Sequence, residues 1–134
     1  MTLTLEMVKA AVAAVTAQGA YSVRQGDYGG GSYLECMYRH PNGLRCIVGH
    51  MISDADYSPS MEGLAFPNGA SSGSRHDPFT VLFGLDQVAP ALIALVAELQ
   101  AMHDTLASQE DPFEDWLQKS SKLLEEYETS AVDT

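Results

Sequence analysis

Histidine beside aspartate is the simplest proton-handling pair that a chain can offer, and this sequence holds one at His103-Asp104. A second set of polar groups lies earlier, with Arg39 followed by Asp54, Tyr57 and Glu62. These six residues are the candidate ligand or polar site. Their types suit acid–base work or the grip of a charged small molecule. The spacing argues against catalysis, however. Neighbours on a helix point about 100° apart, so Asp104 is not expected to orient His103. His103 also sits beside Leu99 and Met102, on the edge of an apolar stripe, where a packing histidine is expected. No Ser/His/Asp or Cys/His constellation has a recognisable local context, so no catalytic residue is assigned. Asp54 and Glu62 are expected to cap turns or to pair with Arg39 and Arg45.

Metal and cofactor readings are weak as well. Cys36, Cys46 and His50 form C-x9-C-x3-H, with His40 between the cysteines, which is not a zinc spacing. Residues 25–32 (Q-G-D-Y-G-G-G-S) are glycine-rich and read as a flexible loop, but they lack the lysine and the following helix of a phosphate-binding loop. No metal or cofactor is expected. The cysteines read as buried thiols.

The elements that must position these residues follow from periodicity. Leu5, Val8, Val12 and Val15 predict a helix over about 4–18, with Thr4 as N-cap and Gly19 just past its end. Residues 33–49 read as an antiparallel β-hairpin around Pro41-Asn42-Gly43. A three-residue loop pairs Tyr38 with Cys46 and Cys36 with Val48, which puts Leu34, Cys36, Tyr38, Leu44, Cys46 and Val48 on one face. Glu35, Met37, Arg39, Arg45 and Ile47 fall on the other. A helical turn is expected near Pro59–Glu62. Further helices are predicted over about 78–84, 89–108 and 112–128. Their cues are Asp77-Pro78, the stripe Leu92, Leu95, Val96, Leu99, Met102 and Leu106, and Asp111-Pro112-Phe113-Glu114 leading into Trp116, Leu117, Leu124 and Tyr127. The expected fold class is α+β, a hairpin packed on several helices. A single domain spans 1–134, with a mobile loop at 67–75 and a frayed tail at 129–134.

The totals bound the function. Apolar content is 46%, ordinary for a folded domain. No apolar run is long enough to span a membrane, and the N-terminus lacks a signal-peptide pattern, so a cytoplasmic protein is expected. The net charge of −11 is uneven. Residues 1–75 hold six acids and five bases, whereas residues 76–134 hold twelve acids and two bases. An acidic half repels phosphate backbones, so direct nucleic-acid binding is not expected, and a basic protein partner is. Asp115, Glu125 and Glu126 are the candidate partner-binding residues on the last helix. The oligomeric state stays open, a homo-oligomer included.

The run Cys36 to Gly63 resembles the core of a family of small proteins from tailed bacteriophages and prophages. The shared pattern is C-x-Y-R, a turn, then G-L-x-C-x-x-G-x-x-I-x-D-x-x-Y. It is met here by Cys36, Tyr38, Arg39, Gly43, Leu44, Cys46, Gly49, Ile52, Asp54 and Tyr57. An M-E-G follows at Met61, Glu62 and Gly63. An L-Q-x-x-H-D follows at Leu99, Gln100, His103 and Asp104, and then a tryptophan, Trp116. The resemblance covers roughly residues 10–120. His50 and the glycines at 26–31 lie outside it. It implies a phage origin and a bacterial host cytoplasm, with no assigned activity. The expected function is therefore a phage accessory protein that binds a host protein, with counter-defence of an anti-CRISPR-like or signal-sequestering kind as one form. The alternatives are an enzyme or small-ligand binder with a pocket around Arg39, Asp54, Tyr57, Glu62 and His103, and a minor structural or assembly protein.

Overall fold

A computed structural model of the chain describes residues 2–28, 31–40, 43–62, 66–67, 78–109 and 112–132. Helix α1 (Leu5–Gln18) opens on Thr4, whose hydroxyl accepts the Met7 N–H at 3.2 Å. It ends on Gly19, which takes the left-handed conformation (φ 74°) and returns its N–H to the Val15 carbonyl. Val8, Ala11, Val12 and Val15 are buried at helical spacing. Helix α2 (Ile47–Met51) packs on α1. After a 3-10 turn at Pro59–Met61 come α3 (Pro78–Phe83), α4 (Pro90–Ser108) and α5 (Phe113–Val132). Proline opens α4 where its missing N–H costs nothing. The α4 stripe buries Leu92, Ile93, Leu95, Val96, Leu99 and Leu106, and α5 lays Trp116 against α4 with no exposed surface. Phe66, Phe79 and Phe83 stack with Tyr38 at one end of the core.

The expected α+β fold with a hairpin at 33–49 is overturned, because the chain is mostly helical. The second expected strand breaks at Cys46, the N-cap of α2, and Ile47 to Met51 coil into that helix. The physical reason lies in the apolar run. A hairpin would have left Met37 and Ile47 outside beside Arg39 and Arg45. In the observed fold Met37, Ile47, Val48 and Met51 are all buried. A short apolar run reads equally as strand or as buried helix, and packing decided for helix. One bridge of the expected register remains. Arg39 stands opposite Arg45, and the Cys46 N–H reaches the Tyr38 carbonyl at 3.3 Å. Gly43 takes φ 99° beside it, whereas Pro41 and Asn42 lie outside the described residues.

Extended pairing occurs elsewhere, in a two-stranded antiparallel ribbon of β1 (Val23–Tyr28) and β2 (Gly31–Cys36). Val23 faces Cys36 and Tyr28 faces Gly31. This replaces the flexible loop expected at 25–32, and Cys36 pairs with Val23 rather than Val48. The side chain of Cys36 lies outside the described residues. Residues 129–132, expected to fray, continue α5. The loop expected at 67–75, apart from Pro67, and the caps Asp77 and Asp111 lie outside the described residues.

Candidate functional site

The loop cluster is built around one carboxylate. Glu62 follows the 3-10 turn and turns back toward the Arg39–Arg45 bridge. Its Oε1 accepts the Tyr38 N–H at 2.9 Å, and its Oε2 accepts the Arg39 N–H at 3.1 Å and the Tyr57 hydroxyl at 2.6 Å. The carboxylate thus satisfies backbone donors at a place where the chain has no strand partner for them. Burial and then the Glu62 carboxylate push the Tyr57 phenol up to about 12.

Arg39 closes the same cluster from the other side. Its Nη1 donates to Asp54 Oδ1 at 2.7 Å, its Nη2 donates to the Ile52 carbonyl, and its guanidinium lies 4.7 Å over the Tyr57 ring. Arg45 Nη2 approaches the same Asp54 oxygen at 3.4 Å. The sequence-based pairing of Asp54 and Glu62 with the arginines therefore takes two forms. Asp54 binds guanidinium groups, whereas Glu62 binds the backbone of Arg39.

The buried His103 and the half-exposed Asp104 belong to a separate network on α4. The Ser22 N–H donates to His103 Nε2 at 3.2 Å, so the ring proton sits on Nδ1 and is donated to Asp104 Oδ1 at 3.0 Å. Gln100 Nε2 donates to that same carboxylate oxygen at 2.9 Å, and Gln100 Oε1 accepts the Val48 N–H at 3.2 Å. That N–H is one of the donors left open at the start of α2. One chain of bonds thus ties α2 to α4 and to the residue that leads into β1. The rings of Tyr21 and Trp116 meet the imidazole edge-on at 5.5 and 5.9 Å. Asp104 does orient His103, against the expectation from helix geometry. Its short side chain reaches the near ring nitrogen, Nδ1, although the two Cβ atoms diverge. His103 is fully buried and lies in the core rather than at the edge of the stripe.

Between the two networks sits Cys46, a buried free thiol whose pKa is raised by burial. A buried, protonated thiol is a poor nucleophile. Gly49 completes the junction. A Cβ there would stand 1.8 Å from the Tyr38 carbonyl oxygen, so only glycine lets α2 lie against that backbone. Gln18 locks the end of α1 to the bridge. It accepts the Arg45 N–H at 2.9 Å, donates to the Arg45 carbonyl at 3.0 Å, and meets His50 Nε2 at 3.1 Å. Sequence reasoning missed Gln18 and Ser22 as members of these networks. Neither carries a local signal, since their partners lie 27 and 81 residues away.

The candidate partner-binding acids lie on α5. Glu125 and Glu126 are exposed and Asp115 is half-buried. Across Phe113–Val132 the helix carries five carboxylates against two lysines. Glu128 is tied to Lys9 of α1 at 2.7 Å. Among the described residues no group of three His, Cys, Asp or Glu side chains gathers as a metal set, and no helix is long and apolar enough to cross a membrane. Comparison with protein-family models, with curated proteins and with solved structures gave no match.

Proposed function

We propose that this chain is a small acidic binding protein that engages a basic surface on a host protein through α5. An accessory protein of a phage, acting in counter-defence, is the biological setting that the sequence resemblance suggests. What supports a binding role is the use already made of the polar residues. Glu62, Arg39, Gln100, Asp104 and His103 are bonded within the fold. His103 is sealed from solvent, so its pair with Asp104 has no access to a substrate. The exposed acids of α5 have no comparable internal task. Glu125 stands on the face opposite the buried Trp116, and Glu126 is exposed on the flank of the helix.

Charge of this kind speeds encounter with a basic partner and weakens with salt. The test replaces Asp115, Glu125 and Glu126 by lysine together. The variant should stay folded with a modestly lower thermal midpoint, because Glu125 and Glu126 are exposed charges worth at most about 1 kcal/mol each and Asp115 adds only the favourable charge of the first turn of α5. A tagged wild-type protein should retain a basic protein from host lysate at low salt and release it at high salt, and the triple variant should retain none. Equal retention by the variant would sink this reading.

A further inference from the structure

Helices α4 and α5 leave a groove of about 370 Å³ between them, lined by Ala101, Met102 and Leu106, with Glu98 and Thr105 on the α4 side and Lys119 on the α5 side. Leu106 is buried, Met102 is half-buried and Ala101 is exposed. The groove is open to solvent rather than enclosed. Sites for small molecules surround most of their ligand, so an open groove suits another protein surface better. Glu98 and Lys119 stand on its two walls, and neither enters an ion pair among the described residues.

The charge pattern of α5 differs between its sides. Asp115, Lys119, Lys122 and Glu126 recur at steps of four, three and four, so they share the flank that borders the groove. Acids and lysines balance on that flank. Glu114, Glu125 and Glu128 fall on the far side of the helix, with no lysine among them. A chain of formal net charge −11 repels its own copies. Contact between copies is least opposed where the signs cancel, and the groove flank of α5 is such a place.

The groove is also complementary to itself. A twofold axis running along it lays the α4 wall of one copy over the α5 wall of the other, so that each contact occurs twice. Glu98 of each copy then meets Lys119 of the other. Ala101 and Thr105 are small and exposed on α4, so a second helix can come close. Met102 is long and unbranched, and it can swing from its own wall to fill the groove of the facing copy. We propose that this chain forms a homodimer through the α4–α5 groove, held by two reciprocal Glu98–Lys119 pairs around an apolar centre at Ala101 and Met102. Neither charged residue is among the acids assigned to the basic partner, so each reading can fail without the other.

Sedimentation velocity over a series of protein concentrations should show a monomer–dimer equilibrium in the wild type. Glu98→Lys and Lys119→Glu each set like charges against each other and should weaken the dimer about tenfold or more, with a thermal melt showing that each variant is folded. Mixed in equal amounts, the two variants should form a heterodimer of wild-type strength, because both pairs are then of opposite sign. A salt bridge within one chain gives no such rescue. Met102→Ala should weaken the wild-type dimer about tenfold, since the groove loses its plug. A wild-type chain that is monomeric at every concentration would overturn the proposal. So would undiminished dimerisation of a charge variant or of Met102→Ala, or a mixture that does not pair.

Discussion

The two polar networks of this protein use the same residue types to opposite effect. Around Glu62, a carboxylate at the rim gathers two backbone N–H groups and a tyrosine hydroxyl, with Asp54 open to solvent and the arginines beside it. Around His103, an imidazole with no exposed surface joins Ser22, Asp104 and, through Gln100, the start of α2. A rim network can exchange a lost partner for water. The buried members of the second network, His103, Ser22 and Gln100, cannot, so each missing bond among them costs the desolvation of its orphan. The difference teaches where each network is useful. The buried one holds elements together, and the rim one leaves the Asp54 side chain open to solvent.

The sharpest way to break this picture is at the junction of the two networks. Gly49→Ala puts a methyl group into the Tyr38 carbonyl, with backbone on both sides and no flexible side chain to yield. A loss of roughly 4 kcal/mol or more is expected in chemical denaturation, at the severe end for a single substitution. A small loss would mean that α2 and the Arg39–Arg45 bridge are not packed as described. Next comes His103→Ala. It orphans the buried Ser22 N–H and leaves a cavity beside Trp116, so a loss of about 3 kcal/mol is expected from the same measurement. A variant with wild-type stability would remove the claim that this network is a structural tie.

The smallest effect belongs to the rim. Glu62→Gln keeps the shape but leaves one acceptor oxygen in place of two, so at least one backbone N–H loses its partner and turns to water, and about 1–2 kcal/mol is expected. The phenol of Tyr57 gives a second readout. Its folded pKa, about 12, lies above the ordinary tyrosine value. The folded state therefore favours the neutral phenol. That contribution is intact below about pH 10 and is lost as pH rises through about 12. In an ultraviolet titration Tyr57 should ionise late in the wild type and earlier in Glu62→Gln. An unchanged titration would show that Glu62 does not act on Tyr57.

Which parts of this were legible beforehand depended on the reach of the interactions involved. The amphipathic helices, Thr4 and Gly19 as the ends of α1, Pro90 opening α4 and the turn at Pro59 all rest on partners within a few residues, so local spacing reveals them. The grouping of Arg39 with Asp54, and the packing role of His103, were also within reach, because the residue types and the apolar stripe constrain them. Local pattern misled at 25–32, where glycines suggested a loop and the chain runs through β1 and into β2. It misled again at Ile47–Met51, where a short apolar run fits a strand or a buried helix equally well.

By itself the sequence determined the long helices, their buried faces and the concentration of negative charge in the second half, because these follow from periodicity and composition. Only the tertiary structure decided that α2 replaces the second hairpin strand. It also decided that Asp104 reaches His103, that Gln18 and Ser22 are structural partners, and that Glu62 serves backbone donors while Asp54 stands outside between two arginines. Apart from the bond between the neighbours His103 and Asp104, each of these depends on contacts between residues far apart in the chain. Burial supplies their energy, and burial exists only once the elements have packed.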